Sequence, residues 1–161
     1  TTPLVLDADA LNCVAKQPEI LLRKKAPIII TPHPGEMSRL TGLATPLVNA
    51  ERQRVALDFA QKYGVVTVLK GAGTVIASPN GKVLVNPTGN SGMATGGSGD
   101  VLAGMTASIL AQGASAFSSA AAAVYLHGLA GDIAAEKYGK ISMLPTDLIN
   151  CIPLAYKRCG F

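Results

Sequence analysis

Tryptophan is absent from this 161-residue chain and aromatic residues make up only 4% of it, too few for the stacking platform of a protein that grips single-stranded nucleic acid. Acidic residues are scarce as well, 10 against 14 basic ones, for a formal charge of +4. The densest basic cluster, Arg23-Lys24-Lys25, reads more readily as the solvated end of a helix than as a phosphate track. Nucleic-acid binding is therefore not expected, although a mild excess suits anionic small molecules such as nucleotides. Cysteine is limited to Cys13, Cys151 and Cys159, with no CxxC pair and no His at metal-ligand spacing. That pattern indicates neither a disulfide framework nor a zinc site, and makes a reducing cytoplasm the default. Charge is missing altogether between Asp100 and Asp132, but Gly104, Gln112, Gly113, Ser115 and His127 interrupt the stretch. Two buried helices explain it better than a membrane span. Methionine is missing at the start: Thr1 leads at once into strand-like Leu4-Val5-Leu6 without a signal or lipidation pattern. The beginning reads as cut, with sequence removed ahead of it by processing or by design.

What is present is apolar and small-grained. Apolar residues make up 48% of the chain, enough for a real core, and the wealth of Ala, Gly and Val suits tight helix-on-sheet packing in one domain over residues 1–161. Leu4-Val5-Leu6, Ile28-Ile29-Ile30 and Val65-Val66-Thr67-Val68-Leu69 are continuous apolar runs, the pattern of strands buried on both faces. Asn80-Gly81 between Thr74-Val75-Ile76-Ala77 and Val83-Leu84-Val85 is a two-residue hairpin signal. A short helical stretch is expected around Pro18 to Lys25. One covering helix is expected from the Thr45 N-cap and Pro46 to Gly64, with Val48, Val55, Phe59 and Tyr63 on its inner face. Further helices are expected from about Asp100 to Gln112, from about Ser118 to Lys137, and after Pro145. Strands alternating with helices imply an α/β fold with a largely parallel sheet. Its first strand has no preceding partner, so a doubly wound sheet would be half built. The Ala-rich helix, taken as a surface helix, would suit a homo-oligomer.

The chemistry gathers where strands end. Gly96-Gly97-Ser98-Gly99-Asp100 opens a helix, and glycines there let backbone amides approach an anion that the helix dipole also favours, with Gly97, Ser98 and Gly99 as the anion hole. No Gly-Lys-Ser/Thr follows and no strand leads directly in, so the loop is neither a Walker loop nor a dinucleotide fingerprint. Asp100 can take a proton from a hydroxyl lying over those amides, or can simply complement the dipole. Lys70, Gly71, Ala72, Gly73 and Thr74 follow a central strand and can hold a nucleotide, or can be only a turn. His33, stiffened by Pro32 and Pro34, is a ligand candidate; Glu36 can orient metal-bound water or interact with a helix start. Asp7, Asp9 and Asn12 cluster after the first strand and can meet substrate hydroxyls or hydrated magnesium, while Asn12 can equally cap a turn. His127 reads as a packed or partner-bonded residue.

Leu6-Asp7-Ala8-Asp9-Ala10-Leu11-Asn12, Thr31-Pro32-His33-Pro34-Gly35-Glu36-Met37, Leu69-Lys70-Gly71-Ala72-Gly73-Thr74 and the run from Asn90 to Leu102 resemble, in the same order, blocks of the ribokinase-like superfamily. Within it they are most similar to the carboxy-terminal catalytic domain of ADP- or ATP-dependent NAD(P)H-hydrate dehydratases. Val124 to Asp132 extends the likeness across essentially the whole chain. The resemblance implies a ribokinase-like α/β fold and dehydration of the S-epimer of hydrated NADH or NADPH. In that reaction the ring hydroxyl is phosphorylated and phosphate is then eliminated. It assigns Asp100 as base and substrate contact, and His33 as a contact to the hydrated dinucleotide. The residues from Lys70 to Thr74 together with Gly99 would hold ADP or ATP, and Mg2+ would bridge phosphates, with Glu36 helping through water. His33-Pro34-Gly35-Glu36 in place of the Asn-x-x-Glu of sugar and vitamin kinases favours the dehydratase, and its form looks like the bacterial, ADP-using branch. The family's domain carries about as much chain again ahead of the first strand, so an amino-terminal piece of the same protein is the implied partner. The rivals are a kinase of a vitamin or sugar hydroxyl, and a non-catalytic nucleotide-binding fragment.

Overall fold

The structure, a computed structural model, describes residues 2–161. Three short strands, β1 (Leu4–Leu6), β2 (Ile28–Ile30) and β3 (Val66–Leu69), pair in parallel. The sheet continues in the order β1-β2-β3-β4-β5, with β4 (Val75–Ala77) antiparallel to β3 and β5 (Val83–Val85) antiparallel to β4. Four of the five strands thus run one way, and the expected mostly parallel α/β sheet is present. The β4–β5 connection is longer than the Asn-Gly signal implies. Ser78 N donates to Lys82 O at 2.9 Å and Gly81 N to Ser78 O at 3.1 Å, so three residues form the loop, the next commonest hairpin solution.

Because strand side chains alternate, the sheet feeds two cores. Ile28, Ile30, Val65, Leu69, Val75 and Ala77 face one cluster with α1 (Asp9–Ala15), α2 (Pro34–Thr41), α3 (Thr45–Ala50) and α4 (Arg52–Tyr63). Ile29, Val66, Val68 and Ile76 face the other, with α5 (Ser98–Ala111), α6 (Ala116–Tyr138) and α7 (Pro145–Arg158). The result is a three-layer sandwich.

Several elements depart from their expected bounds. The stretch around Pro18 to Lys25 is a 3-10 helix, Pro18–Arg23. The covering helix is two helices: Glu51 at φ −123°, ψ 38° leaves the helical region between α3 and α4. Val48 still joins Val55, Phe59 and Tyr63 in one core, so the apolar periodicity survives a break that it cannot reveal. α6 is not a surface helix. It packs between α5 and α7 and against β2, β3 and β4, with Ala120, Ala123, Ala130 and Ala134 fully buried. Its small residues serve close internal packing, which removes the argument for a homo-oligomer drawn from it. Among the described residues no helix is long and apolar enough to cross a membrane.

Candidate active site

β1, β2 and β3 all end on the same side of the sheet, and the residues that follow each of them converge there. After β1 the chain turns at once, with Ala10 N donating to Asp7 O at 3.1 Å across a turn in which Ala8 takes φ 48°, ψ −120°. Ala8 is the one non-glycine residue with positive φ among those described, a strain on the order of 1–3 kcal/mol of the kind that collects at functional sites. The turn delivers Asp7 to Lys70, which follows β3: Lys70 Nζ lies 2.6 Å from Asp7 Oδ1 and 3.8 Å from Glu36 Oε2.

Glu36 is buried in the first turn of α2 and closes its N-terminus. His33 N donates to Glu36 Oε2 at 2.7 Å, while His33 Nδ1 accepts from Gly35 N at 3.0 Å and Glu36 N at 3.3 Å. This reciprocal cap satisfies orphan amides at the helix start and explains why a His sits between two prolines. Of the two readings of Glu36, the interaction with a helix start is the one observed. The His33 ring remains exposed at the site, its Nε2 3.5 Å from Glu36 Oε1.

α5 arrives from the opposite layer. Gly97 caps it at φ 96°, where a side chain would be strained and its Cβ would sit 3.2 Å from Pro145. Ser98 N is taken by Thr95 O and Val101 N by Gly97 O. Among the described residues the amides of Gly99 and Asp100 have no protein acceptor, which is what an anion hole requires. A Cβ built on Gly99 would lie 3.5 Å from Lys70 Nζ and 3.8 Å from Asp7 Oδ2, so the lysine stands beside the helix mouth. Asp100 is exposed in the first turn. Ser98 is buried, and its carbonyl lies 2.9 Å from Nε2 of buried His127, whose pKa burial lowers to about 4. His127 is thus a packed, partner-bonded residue, as expected, and its partner is the base of the anion hole.

The 70–74 loop is equally ordered. Gly71 and Ala72 are exposed, Thr74 Oγ1 donates to Gly71 O at 3.1 Å, and Arg52 donates to Leu69 O, Lys70 O and Gly73 O. Lys70, Gly99, Asp7 and Glu36 therefore meet, with His33 beside Glu36. Asp9 and Asn12 do not join them: Asn12 Nδ2 donates to Asp9 Oδ1 and Arg39 Nε to Asn12 Oδ1, in an exposed network on α1 and α2. The helical path after Ala8 separates them from Asp7. Further back, Asp132 on α6 accepts from Gly89 N and Asn90 Nδ2 and moors the run that leads to the anion hole.

The reach of Arg52 to the 70–74 loop, the mooring role of Asp132 and the pairing of Asp7 with Lys70 are not visible in the sequence, since each contact links positions far apart. The site is an open shelf, with His33, Gly71, Ala72 and Asp100 all exposed, and it is distinct from two cavities of 450 and 530 Å³ lined by other residues. No group of three metal-ligating side chains converges among the described residues.

A mostly parallel sheet between two helical layers, with a glycine-opened helix start and a lysine loop meeting at the carboxyl ends of its strands, defines a ribokinase-like α/β domain. Residues 1–154 match the family described as NAD(P)H-hydrate dehydratase. The bifunctional NAD(P)H-hydrate repair enzyme Nnr of Moorella thermoacetica is 47% identical over 156 residues, 97% of this chain and 29% of that protein. The ADP-dependent (S)-NAD(P)H-hydrate dehydratase of Neisseria meningitidis is 45% identical over 85% of this chain and 47% of that one. The crystal structure of the ADP/ATP-dependent NAD(P)H-hydrate dehydratase of Bacillus subtilis, co-crystallised with ATP/Mg2+, superposes with a TM-score of 0.88 at 37% identity, over 97% of this chain and 55% of that one. This chain belongs to the NAD(P)H-hydrate dehydratase family. It spans from under a third to about half the length of these relatives.

Proposed function

We propose that this chain carries the catalytic shelf of an ADP-dependent, or ATP-dependent, dehydratase that repairs the S-epimer of hydrated NADH or NADPH. The observation that carries this reading is the meeting of the unsatisfied Gly99 and Asp100 amides with Lys70 and the 70–74 loop at the ends of β1 to β3. The names of the Neisseria and Bacillus relatives support the substrate and the nucleotide.

Lys70, Gly71, Ala72, Gly73 and Thr74 hold the nucleotide, and the helix mouth receives the transferring phosphoryl group as its charge develops, through the Gly99 and Asp100 amides and not through that of Ser98, which Thr95 O already takes. Asp100 takes the proton of the ring hydroxyl while the phosphoryl group passes to that oxygen. The C–O bond then breaks, phosphate departs and a proton leaves the adjoining ring carbon, which restores the double bond. His33 contacts the hydrated dinucleotide from the α2 cap. Mg2+, when bound, would neutralise phosphate charge, and Glu36 is the residue that would hold it, through a water. The amino-terminal part of the same protein pairs along the β1 edge and completes the dinucleotide site, and the assembled enzyme works in a reducing cytoplasm, where three unpaired cysteines persist.

Incubating hydrated NADH with ADP or ATP and following recovery of the reduced-nicotinamide absorbance tests the reaction. Asp100→Asn is expected to lower kcat by roughly 10²- to 10⁴-fold while nucleotide still binds. A stable phosphorylated product would point instead to a kinase, and nucleotide binding with no turnover in the full-length protein to a binding module.

A further inference from the structure

Arg52 opens α4, where the helix dipole disfavours a cation, and among the described residues it makes no salt bridge; the neighbouring Glu51 pairs with Arg54 instead. Its guanidinium is spent entirely on backbone: Nη2 donates to Leu69 O at 2.9 Å and Gly73 O at 3.4 Å, and Nη1 to Lys70 O at 3.3 Å. Burial lowers its pKa, in keeping with a partly desolvated charge. Gly71 crosses directly over it at φ 140°, and any Cβ there would collide with Nη1. With Gly71 O taken by Thr74 Oγ1, every carbonyl from Leu69 to Gly73 except that of Ala72 is engaged by a side chain. The N–H groups of Gly71, Ala72 and Gly73 have no protein acceptor among the described residues. The loop is thus sorted by polarity: Arg52 holds three of its acceptors and Thr74 a fourth, while its donors are left over beside Lys70.

We propose that Arg52 is a positioning residue of the nucleotide site, holding the loop carbonyls so that the Gly71, Ala72 and Gly73 amides stay available to the phosphate oxygens of an adenine nucleotide. This rests on the function proposed above for the nucleotide, but not on the identity of the phosphoryl acceptor. Lysine cannot replace Arg52, because a point charge cannot fork across three carbonyls.

The test uses the full-length protein with Arg52→Lys and Arg52→Ala, reading nucleotide affinity by titration calorimetry and the KM for nucleotide against kcat at saturation. Both variants are expected to raise the nucleotide KM by ~10-fold or more and to leave kcat within about threefold. Ethylguanidinium, which supplies the Cγ, Cδ and guanidinium that Ala lacks, is expected to return Arg52→Ala to within about threefold of the parent KM. An unchanged nucleotide KM, a loss confined to kcat, or a lower melting temperature with no rescue of affinity would overturn the proposal. Should Arg52→Ala fail to fold, the KM against kcat comparison in Arg52→Lys decides alone. A parent protein that binds no adenine nucleotide would overturn this proposal and the proposed function together. One that binds nucleotide but does not repair hydrated NADH would overturn only the reaction.

Discussion

Asp7 and Lys70 stand 63 positions apart in the chain, yet form a 2.6 Å ion pair with both side chains largely buried. Removing one charge of such a pair leaves the other desolvated, with only Glu36 at 3.8 Å to compensate it. Asp7→Asn is therefore expected to lower stability by about 1–3 kcal/mol, measured by urea denaturation. At this scale the residues inside motifs were legible: Asp100, Gly99 and Lys70 are singled out by glycine neighbours and strand ends, and the structure brings Gly99 and Lys70 together. Asp7 was visible only as one of a trio with Asp9 and Asn12. The strained turn at Ala8 divides that trio, sending Asp7 to the shelf and the others to the surface, and no local pattern in Asp7-Ala8-Asp9 encodes the division. Arg52 was illegible for a plainer reason: on the polar side of an amphipathic helix, one arginine looks like any other.

Among the elements, β3 carries the clearest unresolved cost. Thr67 is fully buried at its centre, paired with Ile30 and Ala77, and its hydroxyl has no hydrogen-bond partner. Thr67→Val keeps the shape and removes the orphan group, so a gain of about 1 kcal/mol in unfolding free energy is expected by denaturant titration. α6 shows the opposite economy. Gly128 lies so close to Thr88, and Gly131 to Met93, that a Cβ at either would collide, which lets the helix press against the segment leading to the anion hole. The existence and type of these elements were readable from period and punctuation. The missing charge between Asp100 and Asp132 already pointed to burial of α6, but which of its faces meets which neighbour was not readable, because an Ala-rich helix has too little side-chain contrast to mark a face.

For the whole molecule, His127, midway along α6, joins that helix to Ser98 at the start of α5 and makes the stability of the fold depend on pH. Its folded pKa, about 4, lies below the ordinary value of 6.5, so the unfolded chain binds more protons between those values. The stability present above pH 6.5 is lost as pH falls toward 4, at a cost on the order of 3 kcal/mol by pH 4. Thermal melts over this range should show a fall that His127→Gln largely abolishes; an equal fall in that variant would assign it to other groups. The sequence alone determined the α/β class, the strand order along the chain, the glycine-opened helix and the residues placed at strand ends, because periodicity, turn chemistry and helix-start rules act over a few neighbouring positions. Only the tertiary structure decided which strand ends meet, that Lys70 leans on Asp7 beside Gly99, that Arg52 takes the loop carbonyls, and that His127 lies beneath Ser98. Those contacts depend on how sheet and helices pack in space, and a distance across the sheet is not written in any local run of residues.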